Sequence, residues 1–215
     1  MTSPRSIESA SAALVSPLFA NLKWLEHGFG TRHSQIDQDA MASLKQVHSA
    51  KVLRVSEIGC AGEADSLITM IPGVAVSVRT ADCFPILLVD PEQRAIGAVH
   101  AGWRGTAEHI VERALEQMRT DFGTRPASIL AAIGPGIGRC CYQVGEEVAR
   151  RFGFEGAAQI DLAGINREQL MAAGVGPSQI DTIGGCTFCE SQQFFSYRRE
   201  KENAGRMISY ARIRG

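Results

Sequence analysis

Three segments bring together side chains whose types and spacing could do chemistry: Lys45-Gln-Val-His48, Arg79-Thr-Ala-Asp-Cys-Phe-Pro85 and Val99-His-Ala-Gly-Trp-Arg-Gly105. A thiolate from Cys83 beside an imidazole from His100 would form either a Cys–His nucleophile pair or two-thirds of a metal site. Adding His48 makes a His₂Cys set whose fourth tetrahedral position stays open for water or substrate. That is the arrangement of a catalytic rather than a structural zinc site, and it makes His48, Cys83 and His100 both the metal ligands and the catalytic residues. Zn²⁺ is the expected ion, with copper as the alternative. Asp82, next to a ligand, is placed to orient an imidazole or move a proton. Gly102, Arg104 and Gly105, with the start of a helix at Thr106, offer backbone N–H groups and a guanidinium fork to an anion.

The elements around these residues explain how they could meet. Residues 52–55, 73–78, 85–89 and 95–99 are β-branched or apolar and read as strands. The turn Asp90-Pro-Glu-Gln-Arg94 joins the last pair as an antiparallel hairpin. Cys83 precedes one arm and His100 ends the other, so both come to the same end of the sheet. After Thr106 as N-cap, Ile110, Val111, Ala114, Leu115 and Met118 share one helical face until Gly123 stops the pattern. Residues 128–133 and 206–213 read as strands, 145–152 as a short helix, and 166–173 as a helix ended by Gly174 and Pro177. Strands and helices mix without a βαβ rhythm, so the expected class is α+β, a layered α/β sandwich with mixed sheets.

Two glycine- or cysteine-rich segments have other readings. Gly134-Pro-Gly-Ile-Gly138 has the wrong spacing for a dinucleotide fingerprint and reads as a tight loop beside the site. Cys186-Thr-Phe-Cys189 has C-x-x-C spacing, and Cys140-Cys141 could supply two more thiols; a structural metal, a redox couple and ordinary packing all stay open. Cys60 lies in a turn-like stretch with no polar partner. His27, His33 and His109 have no partner at readable spacing.

Composition narrows the function classes. In 215 residues, a hydrophobic fraction of 45%, a charged fraction of 21% and a net charge of −1 describe an ordinary globular protein with no general attraction to polyanions, which argues against a nucleic-acid binder. The apolar stretch 10–20 is interrupted by Ser11, Ser16 and Pro17, and no run reaches membrane-span length, so a soluble cytoplasmic protein with reduced thiols is expected. Residues 1–20 read as a flexible arm and 21–215 as one domain.

Taken together, several motifs resemble one family. They are Lys45-Gln-Val-His48, Thr80-Ala-Asp-Cys83, His100-Ala-Gly-Trp-Arg-Gly105, Ile133-Gly-Pro-Gly136 with Cys141-Tyr142, Cys186-Thr-x-Cys189 and Phe195-Ser-Tyr-Arg198. The chain is similar over 27–213 to the YfiH-like laccase-domain family, also called multicopper polyphenol oxidases or peptidoglycan editing factors. The resemblance implies a zinc ion on His48, Cys83 and His100, and purine nucleoside chemistry. That chemistry comprises phosphorolysis of adenosine, inosine, guanosine and methylthioadenosine, and deamination of adenosine. The expected partners are therefore a purine nucleoside and phosphate. Arg32 matches a family arginine that holds phosphate, and stands with Asp82 and Arg104 among the substrate-binding candidates. In one departure, the family's Thr-Arg-x-Gly-Gly-x-Ser and the long stretch after it are represented here by Gly30-Thr-Arg-His-Ser34 and a short segment. Three rival readings are a Cys83/His100 hydrolase acting on peptidoglycan precursors, a copper phenol oxidase, and a binding module or metal carrier without turnover.

Overall fold

The computed structural model describes residues 13–215. One sheet contains β1 (Leu25–Phe29), β2 (Ala42–Lys45), β4 (Gly59–Glu63), β6 (Ala75–Thr80) and β13 (Met207–Ile213), in the order β1-β13-β6-β2-β4. The other contains β3 (Val52–Arg54), β5 (Ser66–Thr69), β7 (Phe84–Asp90), β8 (Ala95–Ala101), β9 (Leu130–Ile133) and β12 (Ile180–Thr182), in the order β12-β9-β7-β8-β5-β3. Both sheets mix parallel and antiparallel pairs. A short ribbon pairs β10 (Gln143–Val144) with β11 (Ala158–Gln159). The helices are α1 (Trp103–Ala107), α2 (Ile110–Phe122), α3 (Glu146–Arg150), α4 (Leu162–Ala172) and α5 (Tyr197–Glu200). The layered α/β sandwich expected from the sequence is the observed fold.

Burial explains the long apolar runs. The β7–β8 hairpin forms through the Asp90 turn, with Leu87 opposite Ala98 and Pro85 opposite His100. Leu87, Val89, Ile96 and Ala98 pack towards the first sheet, against Val76, Val78 and Ala211. Ile86, Leu88, Val99 and Ala101 pack on the opposite side with Ile110, Ala114 and Leu170 of the helices. The hairpin is thus covered on both faces, which is why its strands are continuously apolar rather than alternating. The Asp90 carboxylate closes the turn by accepting from the N–H groups of Glu92 and Gln93.

The structure corrects the helix expected to begin at Thr106. Gly102, with extended backbone, precedes the five-residue α1, and α2 begins only after His109, whose φ is 62°. Thr106 lies inside α1, where its hydroxyl accepts from Asn166 Nδ2 and its carbonyl from Gln169 Nε2. These bonds tie α1 to α4. As expected, α2 stops at Gly123, whose φ is 72° and whose N–H bonds the Arg119 carbonyl.

Other boundaries moved as well. The helix expected over 166–173 starts earlier, at Leu162, because the Asp161 carboxylate caps the Gly164 N–H. The turn-like stretch around Cys60 forms the exposed strand β4. In the segment expected as an arm, residues 1–12 lie outside the described ones. Leu14 exchanges both backbone hydrogen bonds with Phe29, and Phe19 is buried, so the packed part of the chain starts before residue 21.

Candidate metal centre and pocket

The pairing of β7 with β8 places Cys83, just before β7, across from Gly102, just after β8, with His100 two residues earlier. A third element, β5, pairs with β8 on its other side, so that Asp65 at the head of β5 meets His100. The His100 backbone N–H bonds the Asp65 carbonyl at 2.7 Å, and its ring Nδ1 lies 2.8 Å from Asp65 Oδ1. The same carboxylate accepts from the backbone N–H groups of Val47, His48 and Ser49 and from the Ser49 hydroxyl. Those bonds wrap residues 47–49 around one buried anion and hold His48 at a φ of 60°, a conformation costly for a non-glycine residue. Asp65 therefore positions two of the three donors.

His48, Cys83 and His100 each present a ligand atom within 4.8 Å of the others. The two imidazole rings meet edge to face, with centroids 5.0 Å apart. Gly102 makes room for this convergence, since a Cβ there would lie 2.9 Å from Cys83 Sγ and 3.3 Å from His48 Cδ2. Because Asp65 occupies Nδ1 of His100, the Nε2 nitrogen is left as the ligand atom, as carboxylate partners of metal-binding histidines commonly arrange.

Electrostatics favour the ligating form of the thiol. Burial opposes ionisation of Cys83, but the His100 charge and hydrogen bonds from His100 and His48 outweigh it and draw the thiol down to about 6. Burial likewise opposes a charged His100, yet the Cys83 thiolate and Asp65 raise it to about 9. Against its own desolvation, the Asp65 carboxyl is held below its ordinary value by His100 and Ser49. Without an ion, Cys83 and His100 are thus a thiolate–imidazolium pair; with one, the thiolate and a neutral imidazole are the required ligand forms.

These donors lie in a pocket of about 910 Å³ whose lining includes five cations, Arg79, Arg104, Arg198, Lys201 and Arg206, and a single carboxylate, Asp82. Trp103, Tyr142 and Tyr197 add aromatic surface. Arg104 lies over the Trp103 ring at 4.4 Å. Ile137, from the loop expected beside the site, is part of the wall.

Two substrate-binding candidates are placed differently from expectation. Asp82 touches no imidazole: its carboxylate accepts from the Thr187 hydroxyl and the Arg198 N–H, both at 2.7 Å, and its carbonyl accepts from the Ile137 N–H. It braces the loops around the pocket, and the orienting role expected of it is filled by Asp65. Arg32 is outside the pocket lining; it pairs with Glu200 at 2.7 Å and lies 4.7 Å from the Phe195 ring centroid. The anion cradle expected at the helix start is reduced as well, because α1 is a single short turn.

Sequence reasoning missed Asp65, whose local context, Glu63-Ala-Asp-Ser66, has no distinguishing pattern. It also assigned no role to Arg79, Lys201 or Arg206. Arg198 and Tyr142 fell within quoted motifs but were given none either.

Fold and site define a class: a mixed-sheet α/β sandwich carrying a His₂Cys constellation inside a cationic pocket. Within that class, the chain belongs to the family described as multi-copper polyphenol oxidoreductase laccase, whose family model matches residues 24–214. A purine nucleoside phosphorylase of Deinococcus radiodurans is 44% identical over 179 residues, covering 79% of this chain and 68% of its own length. Adenosine deaminase RL5, from an unknown prokaryotic organism, is 36% identical over 198 residues, covering 81% of this chain and 75% of its own. Among solved structures, YlmD from Geobacillus stearothermophilus aligns with a TM-score of 0.85 at 29% identity, over 93% of this chain and 94% of that one. Bacillus licheniformis hypothetical protein YfiH aligns with a TM-score of 0.82 at 26% identity, over 89% and 94%.

Proposed function

We propose that this chain is a zinc-dependent purine nucleoside enzyme that carries out phosphorolysis of adenosine, inosine, guanosine and methylthioadenosine, and deamination of adenosine. The observation that carries the reading is the convergence of His48, Cys83 and His100 at one wall of a pocket lined by five cationic side chains and one carboxylate. Relatives named purine nucleoside phosphorylase and adenosine deaminase support the substrate class. The donor set fits zinc: two nitrogens and one readily ionised sulfur, a fixed tautomer at His100, and a glycine where a side chain would intrude. The family's descriptive name points to copper. Among the described residues, however, the groups able to hold a metal are this His₂Cys set and one set of four cysteines, with no further histidine cluster for a multicopper centre.

Zinc bound at this site would supply a Lewis acid and a means of ionising water near neutral pH. The chain's own residues do the rest. Arg79, Arg104 and Arg206 line the pocket as guanidinium donors to phosphate, which they can grip in bidentate fashion. Trp103 and Tyr197 offer ring faces on which a purine can stack. Burial raises the Tyr142 hydroxyl to about 12, so it stays protonated and can donate to a ring nitrogen or a ribose oxygen. Arg198 donates to the carbonyls of Cys141 and Gln143 and is a positioning residue for Tyr142. Asp82 holds the loop before Cys83 in register with the opposite wall.

Incubation with adenosine, with and without phosphate, followed by product separation, tests the proposal. Adenine with ribose 1-phosphate marks phosphorolysis and inosine marks deamination, whereas neither product from zinc-loaded protein would defeat the nucleoside assignment. One observation favours a second reading: the thiolate–imidazolium pair of Cys83 and His100 is also the starting state of a cysteine hydrolase, for which peptidoglycan peptides are the candidate substrates. Full activity in metal-free protein, abolished by alkylation of Cys83, would select it.

A further inference from the structure

A second concentration of metal-binding side chains lies outside the His₂Cys centre. Cys140 and Cys141 follow β9, and Cys186 and Cys189 follow β12. Because β9 and β12 are parallel neighbours, with Thr182 beside Ile133, the loops leaving their ends run together, and Gly136 bridges to Cys186. A turn in which Cys141 and Tyr142 both donate to the Gly138 carbonyl brings the adjacent cysteines round to the second loop. The four sulfurs lie within 4.8 Å of one another, with Cys140 to Cys189 at 3.8 Å and Cys141 to Cys189 at 3.3 Å.

We propose that Cys140, Cys141, Cys186 and Cys189 form a second zinc site, structural in role, that clips the two loops bordering the pocket. Tetrahedral zinc with Zn–S bonds of about 2.3 Å requires sulfurs roughly 3.8 Å apart, close to the spacing these thiols already have. The set is entirely soft and supplies all four corners, which selects tetrahedral zinc over hard cations and leaves no position for substrate. The C-x-x-C turn is also built for a thiolate: the Gly138 N–H lies 3.2 Å from Cys186 Sγ.

The clip reaches the active site through short links. Thr187, inside the C-x-x-C turn, donates to Asp82, and Arg199 donates to the carbonyls of Thr187 and Phe188. Arg198 holds the carbonyls of Cys141 and Gln143, on either side of Tyr142. Zinc at the four cysteines would therefore set the distance between the wall carrying Ile137 and Tyr142 and the wall carrying Arg198.

Elemental analysis of full-length protein, purified with reductant and desalted, tests the proposal. Wild type is expected to hold about two zinc ions per chain, and both His48→Ala/Cys83→Ser and Cys186→Ser/Cys189→Ser about one each. Should wild type hold one zinc that survives in His48→Ala/Cys83→Ser and is lost in Cys186→Ser/Cys189→Ser, the cysteine site stands and the His₂Cys zinc fails. If the serine variant does not fold, titration of His48→Ala/Cys83→Ser with a mercurial reagent gives the same information, with one zinc released as the thiols of the four ligands, beyond that of the exposed Cys60, are blocked. Absence of zinc from His48→Ala/Cys83→Ser overturns the proposal, as does a disulfide among these four cysteines in protein kept under reductant.

Discussion

The two cysteine-containing clusters differ in every feature that separates chemistry from scaffolding. In the first, donors of mixed type face a pocket: Cys83 and His100 stand at one end of the buried β7–β8 hairpin, and His48 and His100 share a carboxylate. In the second, four identical donors sit on two loops at the surface, and one of them, Cys186, accepts from a backbone N–H. A metal site that must leave room for substrate needs its ligands fixed from behind, which Asp65 does for His48 and His100. One whose donors fill every corner can organise loops that have no such support. The centre should therefore respond to substitution mainly in activity, and the clip mainly in stability.

The largest effect is expected from His48→Ala, which should lower nucleoside turnover on the order of a thousandfold or more, beyond the 10–100-fold typical of an outer-shell partner. Its melting temperature should change little, since His48 is exposed. Large unfolding without loss of turnover per folded molecule would break the contrast. Asp65→Asn is next: zinc affinity, measured by chelator competition, should fall about 10–100-fold. Asp65→Ala should also destabilise the fold, because the N–H groups of residues 47–49 lose their acceptor. Gly102→Ala should cost roughly 1–3 kcal/mol through the contact with Cys83 Sγ and weaken zinc binding in parallel.

Two pH effects sharpen the electrostatic side of the comparison. In metal-free protein, alkylation of Cys83 should rise through a midpoint of about 6 and fade as the thiolate is lost at lower pH. A midpoint near that of an ordinary thiol would remove the thiolate–imidazolium pair. The other pH effect, away from the site, belongs to His27, which lacks the charged partners of His100 and is lowered to about 4 by burial. Its Nε2 accepts from the Ser16 N–H, a bond that protonation destroys. Its unfolded-state value is 6.5, so the unfolded chain binds the extra proton first. Stability should fall as pH drops from about 6.5 towards 4, by roughly 3 kcal/mol at most. His27→Gln, which keeps an acceptor, should flatten that part of a melting-temperature profile.

Much of the fold was legible because β7, β8 and α2 state their periods plainly: two apolar arms around Asp90, and a helical face from Ile110 to Met118 ended by Gly123. Elements without such a pattern escaped, among them β2, β4 and the four-residue β5. The break at His109 was hidden because the groups that brace Thr106 just before it, Asn166 and Gln169 of α4, lie about sixty residues away in sequence. At the site, Cys83 and His100 could be brought together from the hairpin alone, whereas Arg32 was carried over by motif and lies against Glu200 instead.

By itself the chain determined donor chemistry and local geometry: which residues can bind a metal, where strands turn, and where helices stop. Those properties depend on residue type and on neighbours within a few positions. Tertiary structure alone decided that Asp65 reaches both His48 and His100, that five cations share one pocket, and that Cys140 and Cys141 meet Cys186 and Cys189. Each of those meetings crosses from one strand or loop to another, and so depends on sheet order and register, which no short stretch of sequence encodes.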